Sequence, residues 1–264
     1  MQTMMRATTT AILTGLCVLA GLPTSPARAT PANPAAPGSQ DKPAPAPAPA
    51  PAPAQDKNAA PAGDAIETIK KFIADQKIDT KKDGWKTKLP KPPQLTFDPK
   101  KKYYWVMETN KGTMKFELMP DAAPMHVSSC IYLNTLGFYD GLKFHRVMKE
   151  FMAQGGCPLG NGQGNPGYQF RIEIKDGVKH DKAGILSTAR TSDPNTDGSQ
   201  FFLTFGPTPM LDKQYTIYGA IVEGGETLKA LEACGQPRDY DERRLGTAKP
   251  TEDLFIKKAT IEVK

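Results

Sequence analysis

The chain has 264 residues, 39% of them apolar and 23% charged, with 25 Pro and 23 Gly, which permits a globular core and leaves no room for a large multidomain enzyme. Its net charge of +6 is uneven: residues 64–102 hold eleven Lys against six acids, while the stretch from 103 onward carries a slight acidic excess. A nucleic-acid reader concentrates basic charge on its folded domain, so this distribution argues against nucleic acid as a partner.

Residues 1–29 read as a secretory signal peptide. Arg6 supplies the positive start, Ala11 to Leu22 an apolar run too short for a mature membrane helix, and Ala27-Arg28-Ala29 a small-residue cleavage site. The expectation is export to a bacterial envelope, most simply the periplasm, with cleavage after Ala29. No later run reaches ~18 apolar residues, so the mature form is expected to be soluble. Cleavage removes Cys17 and leaves Cys130, Cys157 and Cys234, an odd number whose pairing, if any, spacing does not reveal. Residues 30–63 form a Pro/Ala linker, with ten prolines between Pro31 and Pro61. Such a sequence cannot build a core and acts as an extended spacer. Residues 64–102 form an N-terminal extension. Asp64-Ala65-Ile66-Glu67 has capping-box form, and Ile66, Ile69, Phe72 and Ile73 recur at helical spacing. Asp83-Gly84 and Pro90, Pro92 and Pro93 then break the helix, leaving a basic connector to Lys102.

From 103 to 264 the pattern changes to short strands. Tyr104 to Thr109 and Thr113 to Leu118 flank Asn110-Lys111-Gly112, a hairpin signal. Further strands are predicted at Lys143 to Val147, Phe151 to Gln154, Ile185 to Ala189, Gln200 to Thr204, Thr216 to Val222 and Leu254 to Val263, with helices at Ala122 to Leu136 and Gly224 to Ala233. Eight strands, two helices and Gly-rich loops indicate a mainly β fold, an eight-stranded closed antiparallel β-barrel capped by two α-helices. Gly162-Gln163-Gly164-Asn165-Pro166-Gly167 satisfies the dinucleotide-binding spacing, but Pro166 and the strand-like Tyr168 to Ile172 follow where a helix should open. There is no phosphate-binding loop, no nucleophile elbow and no zinc spacing among Cys and His, so no cofactor or metal is expected.

The informative run is Phe144-His145-Arg146-Val147 followed by Phe151-Met152-Ala153-Gln154-Gly155-Gly156. Strand alternation would set His145 and Val147 opposite Phe144 and Arg146, and would put Met152 and Gln154 on one face. Together with Gly184-Ile185-Leu186-Ser187, Pro194 to Phe202, Leu211-Asp212 and Tyr218-Gly219, the run resembles the cyclophilin family of peptidyl-prolyl isomerases in order and spacing. That resemblance implies a barrel with helical caps and a site that speeds rotation about X-Pro bonds without covalent chemistry. The barrier of roughly 18–20 kcal/mol comes from amide conjugation, and an enzyme needs only to bind the twisted amide better than either planar form. It implies Arg146 as the catalytic arginine and Gln154 as the group orienting it. Phe151, Met152, Phe202 and Leu211 would receive the proline ring, Gln200 the substrate carbonyl, and Ala189 and Arg190 the substrate backbone. The partners implied are proline-containing polypeptides, with folding assistance as the role and a catalytically weak proline-peptide-binding chaperone as the alternative. Three departures from the family pattern stand out. Arg190 replaces the usual Asn, Tyr215 replaces the pocket His, and Met210 replaces the rim Trp of cyclosporin-sensitive members, so cyclosporin binding is expected to be weak. His145 is expected to support the core, because the reaction transfers no proton.

Overall fold

The structure, a computed structural model, describes residues 64–242 and 247–264; the expected signal peptide and linker lie outside the described residues. Asp64 sits in extended conformation and its side chain accepts from the N–H groups of Ile66 (2.9 Å) and Glu67 (3.4 Å), starting helix α1 (Ala65–Asp75). The capping is one-sided, because Glu67 turns to Lys70 at 2.8 Å. The apolar stripe of α1 faces the core: Ile69 has no exposure and Ala65 almost none, and Ile66, Phe72 and Ile73 pack against it partly buried. Phe72 meets Tyr132 edge-on, with ring centroids 5.6 Å apart.

The segment expected as a basic connector is instead a strap on the core. Trp85 packs edge-on against Phe138, and Lys86 donates to the carbonyl of Asp140 at 2.8 Å. The Leu89 N–H donates to the Pro166 carbonyl at 2.9 Å, and the Leu95 N–H to Ser128 Oγ at 2.9 Å. Leu89 and Leu95 are both buried in the cluster that holds Ile69. Gly167 makes the crossing possible: its φ is +106°, and a Cβ there would stand 2.6 Å from the Leu89 nitrogen.

The sheet is formed by β1 (Tyr103–Thr109), β2 (Gly112–Leu118), β3 (Arg146–Met148), β4 (Met152–Gly155), β5 (Ile185–Thr188), β6 (Phe201–Thr204), β7 (Ile217–Glu223) and β8 (Ile256–Val263). Helix α2 (Pro124–Thr135) lies in sequence between β2 and β3, and α3 (Gly225–Ala233) follows β7. All strand pairs are antiparallel, in the order β3-β4-β6-β5-β7-β2-β1-β8. Alternation works as expected in β1, where Tyr103, Trp105, Met107 and Thr109 point inward. Trp105 packs among Phe116, Tyr139 and Phe201, tilted to the first two rings and edge-on to the third. Tyr168 to Ile172 does not become a strand and makes only one bridge, Phe170 to Asp197.

The segments that lead into β3 and β8, the ends of the strand order, meet at an isolated bridge, Lys143 to Phe255, and at bonds such as Phe144 N–H to the Leu254 carbonyl. Continuous pairing does not form there, because β3 has three residues and its outer edge is taken by another segment. The Gln236 N–H donates to the Val147 carbonyl, and the Val147 N–H donates to the Ala248 carbonyl, both at 2.9 Å. Among the described residues the architecture is therefore an eight-stranded antiparallel sheet with three α-helices.

At the start of α2, buried His126 binds two carboxylates, Glu173 through Nδ1 at 2.5 Å and Asp197 through Nε2 at 2.7 Å. Burial alone would push its pKa down, but the two acceptors outweigh burial and raise it. Glu173 also accepts from the Met125 and His126 N–H groups, satisfying donors that α2 leaves open. Cys130, Cys157 and Cys234 are all free and buried. Among the described residues, no helix is long and apolar enough to cross a membrane.

Candidate active site

Strands β3, β4 and β6 set the site. Arg146 opens β3 opposite Gln154 of β4, and Gln154 lies opposite Phe202 of β6. In β4 the alternation holds: Ala153 goes to the main core, while Met152 and Gln154 share the other face. Before β3 it fails. Phe144 and Val147 both enter the main core, and His145 and Arg146 both line the same cavity. Regular strand geometry begins only at Arg146, so the period of two does not reach back to Phe144.

A second apolar cluster, separate from the main core, forms the slot. Met148, Met152, Phe202 and Ala248 are its buried members, with Phe151, Ala189, Leu211, Tyr215 and Tyr240 packed around them. Tyr215 meets Phe202 edge-on at 5.7 Å, and His180 backs Phe202 in a stacked arrangement at 5.8 Å. His180 is fixed between Asp212 (3.0 Å) and Ser187 Oγ (3.1 Å); burial lowers its pKa. Leu211 lines the slot, whereas Met210 on the same short 3-10 turn is 53% exposed at the rim. The Arg190 guanidinium lies 4.9 Å over the Tyr215 ring and donates to the Gln214 and Thr191 carbonyls. Its side chain thereby staples the rim loop, and the neighbouring Ala189 N–H is already bound to the Gln200 carbonyl at 3.0 Å.

Beside the slot lies a polar cavity of about 300 Å³ lined by His145, Arg146, Gln154, Asn161, Gly162, Gln163, Glu242 and Thr247. The Arg146 guanidinium carbon is 6.0 Å from the Phe151 ring, so the cation sits at the boundary of slot and cavity. Gln154, expected to orient Arg146, donates instead to Gln200 Oε1 at 3.1 Å, and Gln200 donates to the Gly162 and Gly164 carbonyls. Arg146 is held by Glu242: Nε to Oε1 at 2.7 Å and Nη2 to Oε2 at 2.6 Å. The Arg146 hydrogen bonds, working against partial burial, keep the Glu242 carboxyl below its usual range. Burial, with the Arg146 charge adding to it, pushes His145 down to about 4, so it is neutral at neutral pH. Met148, Ala248, Tyr240, Glu242 and His180 were not singled out in the sequence. Of these only Met148 carried a signal, standing two residues from Arg146 on one strand.

An apolar slot with one guanidinium on its edge has the shape and polarity that a proline ring and a twisted amide require. The chain belongs to the cyclophilin-type peptidyl-prolyl cis-trans isomerase family, whose model matches residues 104–261. It is 41% identical over 157 residues to the peptidyl-prolyl cis-trans isomerase cypE of Dictyostelium discoideum, covering 58% of this chain and 94% of that one. A peptidyl-prolyl cis-trans isomerase of Synechococcus elongatus is 44% identical over 128 residues, 48% of this chain and 86% of the relative. The match to a peptidyl-prolyl cis-trans isomerase-like 2 of Cryptococcus neoformans, 41% identical and covering 61% of this chain, spans only 28% of that relative. A crystal structure of a Cryptosporidium parvum cyclophilin-type isomerase superposes with a TM-score of 0.55 at 35% identity, covering 61% of this chain and 98% of the other. One described in the presence of the dipeptide Ala-Pro gives 0.54 at 37% identity, covering 60% and 98%. The matched segment is a cyclophilin-type isomerase domain, and its activity is cis-trans isomerisation of peptidyl-prolyl bonds.

Proposed function

We propose that the whole protein isomerises X-Pro bonds in exported polypeptides, and that Arg146 is the group that acts on the twisted amide. The observation carrying the site assignment is the position of the Arg146 guanidinium at the edge of the slot built from Met152, Phe202, Phe151, Leu211 and Tyr215. On rotation the proline nitrogen leaves conjugation and regains a lone pair, to which a guanidinium N–H can donate. The planar ground states offer no such acceptor, so the bond favours the transition state alone. Ala189, the Arg190 backbone and Gln200 line the path of the peptide, and Met210 forms its rim. The export role is supported by the sequence of residues 1–29, which also supports a soluble mature form in a bacterial envelope. The bridge between Lys143 and Phe255 supports a barrel closed between β3 and β8.

Exchange NMR on a short X-Pro peptide tests the assignment. The Arg146→Ala variant should bind the peptide and keep its fold while losing at least tenfold in rate, equivalent to about 1.4 kcal/mol of transition-state stabilisation. An Ala variant as fast as the parent removes Arg146 from the role. A parent that binds the peptide without accelerating exchange points to the chaperone reading.

A further inference from the structure

The guanidinium of Arg146 has five N–H donors, and their allocation is informative. Nε and Nη2 go to the two oxygens of Glu242, at 2.7 and 2.6 Å, and Nη2 also contacts Met148 Sδ at 3.4 Å. Glu242 Oε1 in turn accepts from the Ala248 N–H at 3.0 Å. Ala248 is fully buried, and its carbonyl is bound by Val147, the residue after Arg146. The carboxylate is thus fastened to the frame of β3 before it reaches the guanidinium. Both partners are half-buried, with side chains 26% and 30% exposed, so solvent competes weakly for a side-on, two-bond pair of this kind.

We propose that Glu242 is the positioning residue of the isomerase site, holding Arg146 so that Nη1 faces the twisted amide. This rests on the reading of Arg146 as the residue that acts on that amide. A free arginine spreads over many rotamers, and a donor must be in place at the moment of rotation to stabilise the transition state. Gln154 does not supply the restraint, because its amide donates to Gln200. Glu242 approaches from the polar cavity, which no residue of the apolar slot lines, so the carboxylate restrains the cation without occupying the place of the proline ring.

The test is exchange NMR on the full chain with one X-Pro peptide, giving kcat and KM separately for Glu242→Ala, Glu242→Gln, Arg146→Ala and the Arg146→Ala/Glu242→Ala double variant, with a thermal melt of each. Glu242→Ala should lower kcat five- to tenfold and leave KM within twofold. Glu242→Gln, which preserves shape and one acceptor, should recover part of the loss and serves as the folded comparison if the Ala variant melts early. The double variant should match Arg146→Ala alone, because a positioning residue has nothing to act on once the arginine is gone. Unchanged or higher kcat in both Glu242 variants, with Arg146→Ala inactive, overturns the positioning role and leaves Arg146 in place. A double variant slower than Arg146→Ala by the full Glu242→Ala factor also overturns it. Full activity of Arg146→Ala removes the reading beneath it.

Discussion

Helix α1 docks on the core through Ile69, and Ile69→Ala measures what that docking contributes. Ile69 has no solvent exposure and lies in the main core. Truncation removes three buried carbons, about 2.4 kcal/mol of transfer free energy. A cavity term adds to it and places the total within the ~2–5 kcal/mol found for buried Ile-to-Ala changes. Taking about 3 kcal/mol and ~2–4 °C per kcal/mol for a domain of this size, the melting temperature should fall by roughly 6–12 °C. The rate on a short X-Pro peptide at 25 °C should be unchanged, because the slot residues form a cluster separate from the one containing Ile69. Lys71→Ala is the control: its ion pair with Asp75 is exposed, the side chains being 76% and 58% accessible, and such pairs contribute ~1 kcal/mol or less. Calorimetry and exchange NMR on the same samples decide the matter. A shift for Ile69→Ala no larger than the control's, or a rate that falls with it, would refute the view of α1 as a docked stabilising element.

Two other predictions concern the rim and the titration of the core. With Met210 at the exposed rim where cyclosporin-sensitive relatives carry an indole, the missing N–H donor should weaken cyclosporin by about 1–3 kcal/mol, about fivefold to more than a hundredfold. Titration against Met210→Trp should recover much of that affinity with little change in peptide rate, and tight inhibition of the parent would contradict the assignment. His145 has a folded pKa of about 4 against ~6.5 unfolded, so the unfolded chain binds the extra proton between these values. The stability it confers is present above pH 6.5 and is lost as pH falls towards 4, by roughly 2 kcal/mol between pH 7 and 4.5. Urea melts at both pH values should show His145→Gln losing less stability on acidification than the parent; equal losses would mean that His145 titrates normally in the folded state.

The strands were legible because their alternation is regular: β1, β2 and β7 each came within a residue or so of the expected ends. The slot residues were legible through motif blocks, and the structure gathers Met152, Phe202, Leu211, Tyr215 and Phe151 around one cluster. Glu242 was not, since it stands 96 residues from Arg146 with no motif or periodicity to mark it. The packing of the connector was not legible for a related reason. Only Leu89, Pro92 and Leu95 of it are buried, and three such residues in a proline-rich stretch make no helix or strand pattern. His126 offered no sequence cue either, because its carboxylates arrive from positions 173 and 197.

The segment between α3 and β8 covers the outer side of β3, through Gln236 and Ala248 on Val147 and Lys149. A bare terminal strand presents a row of open donors and acceptors on which another chain can build. Here that row is already occupied, so neither a second copy nor another extended chain gains a template at β3. Loosening this segment at its Gln236 end, away from Glu242 and Ala248, would therefore show itself first as self-association.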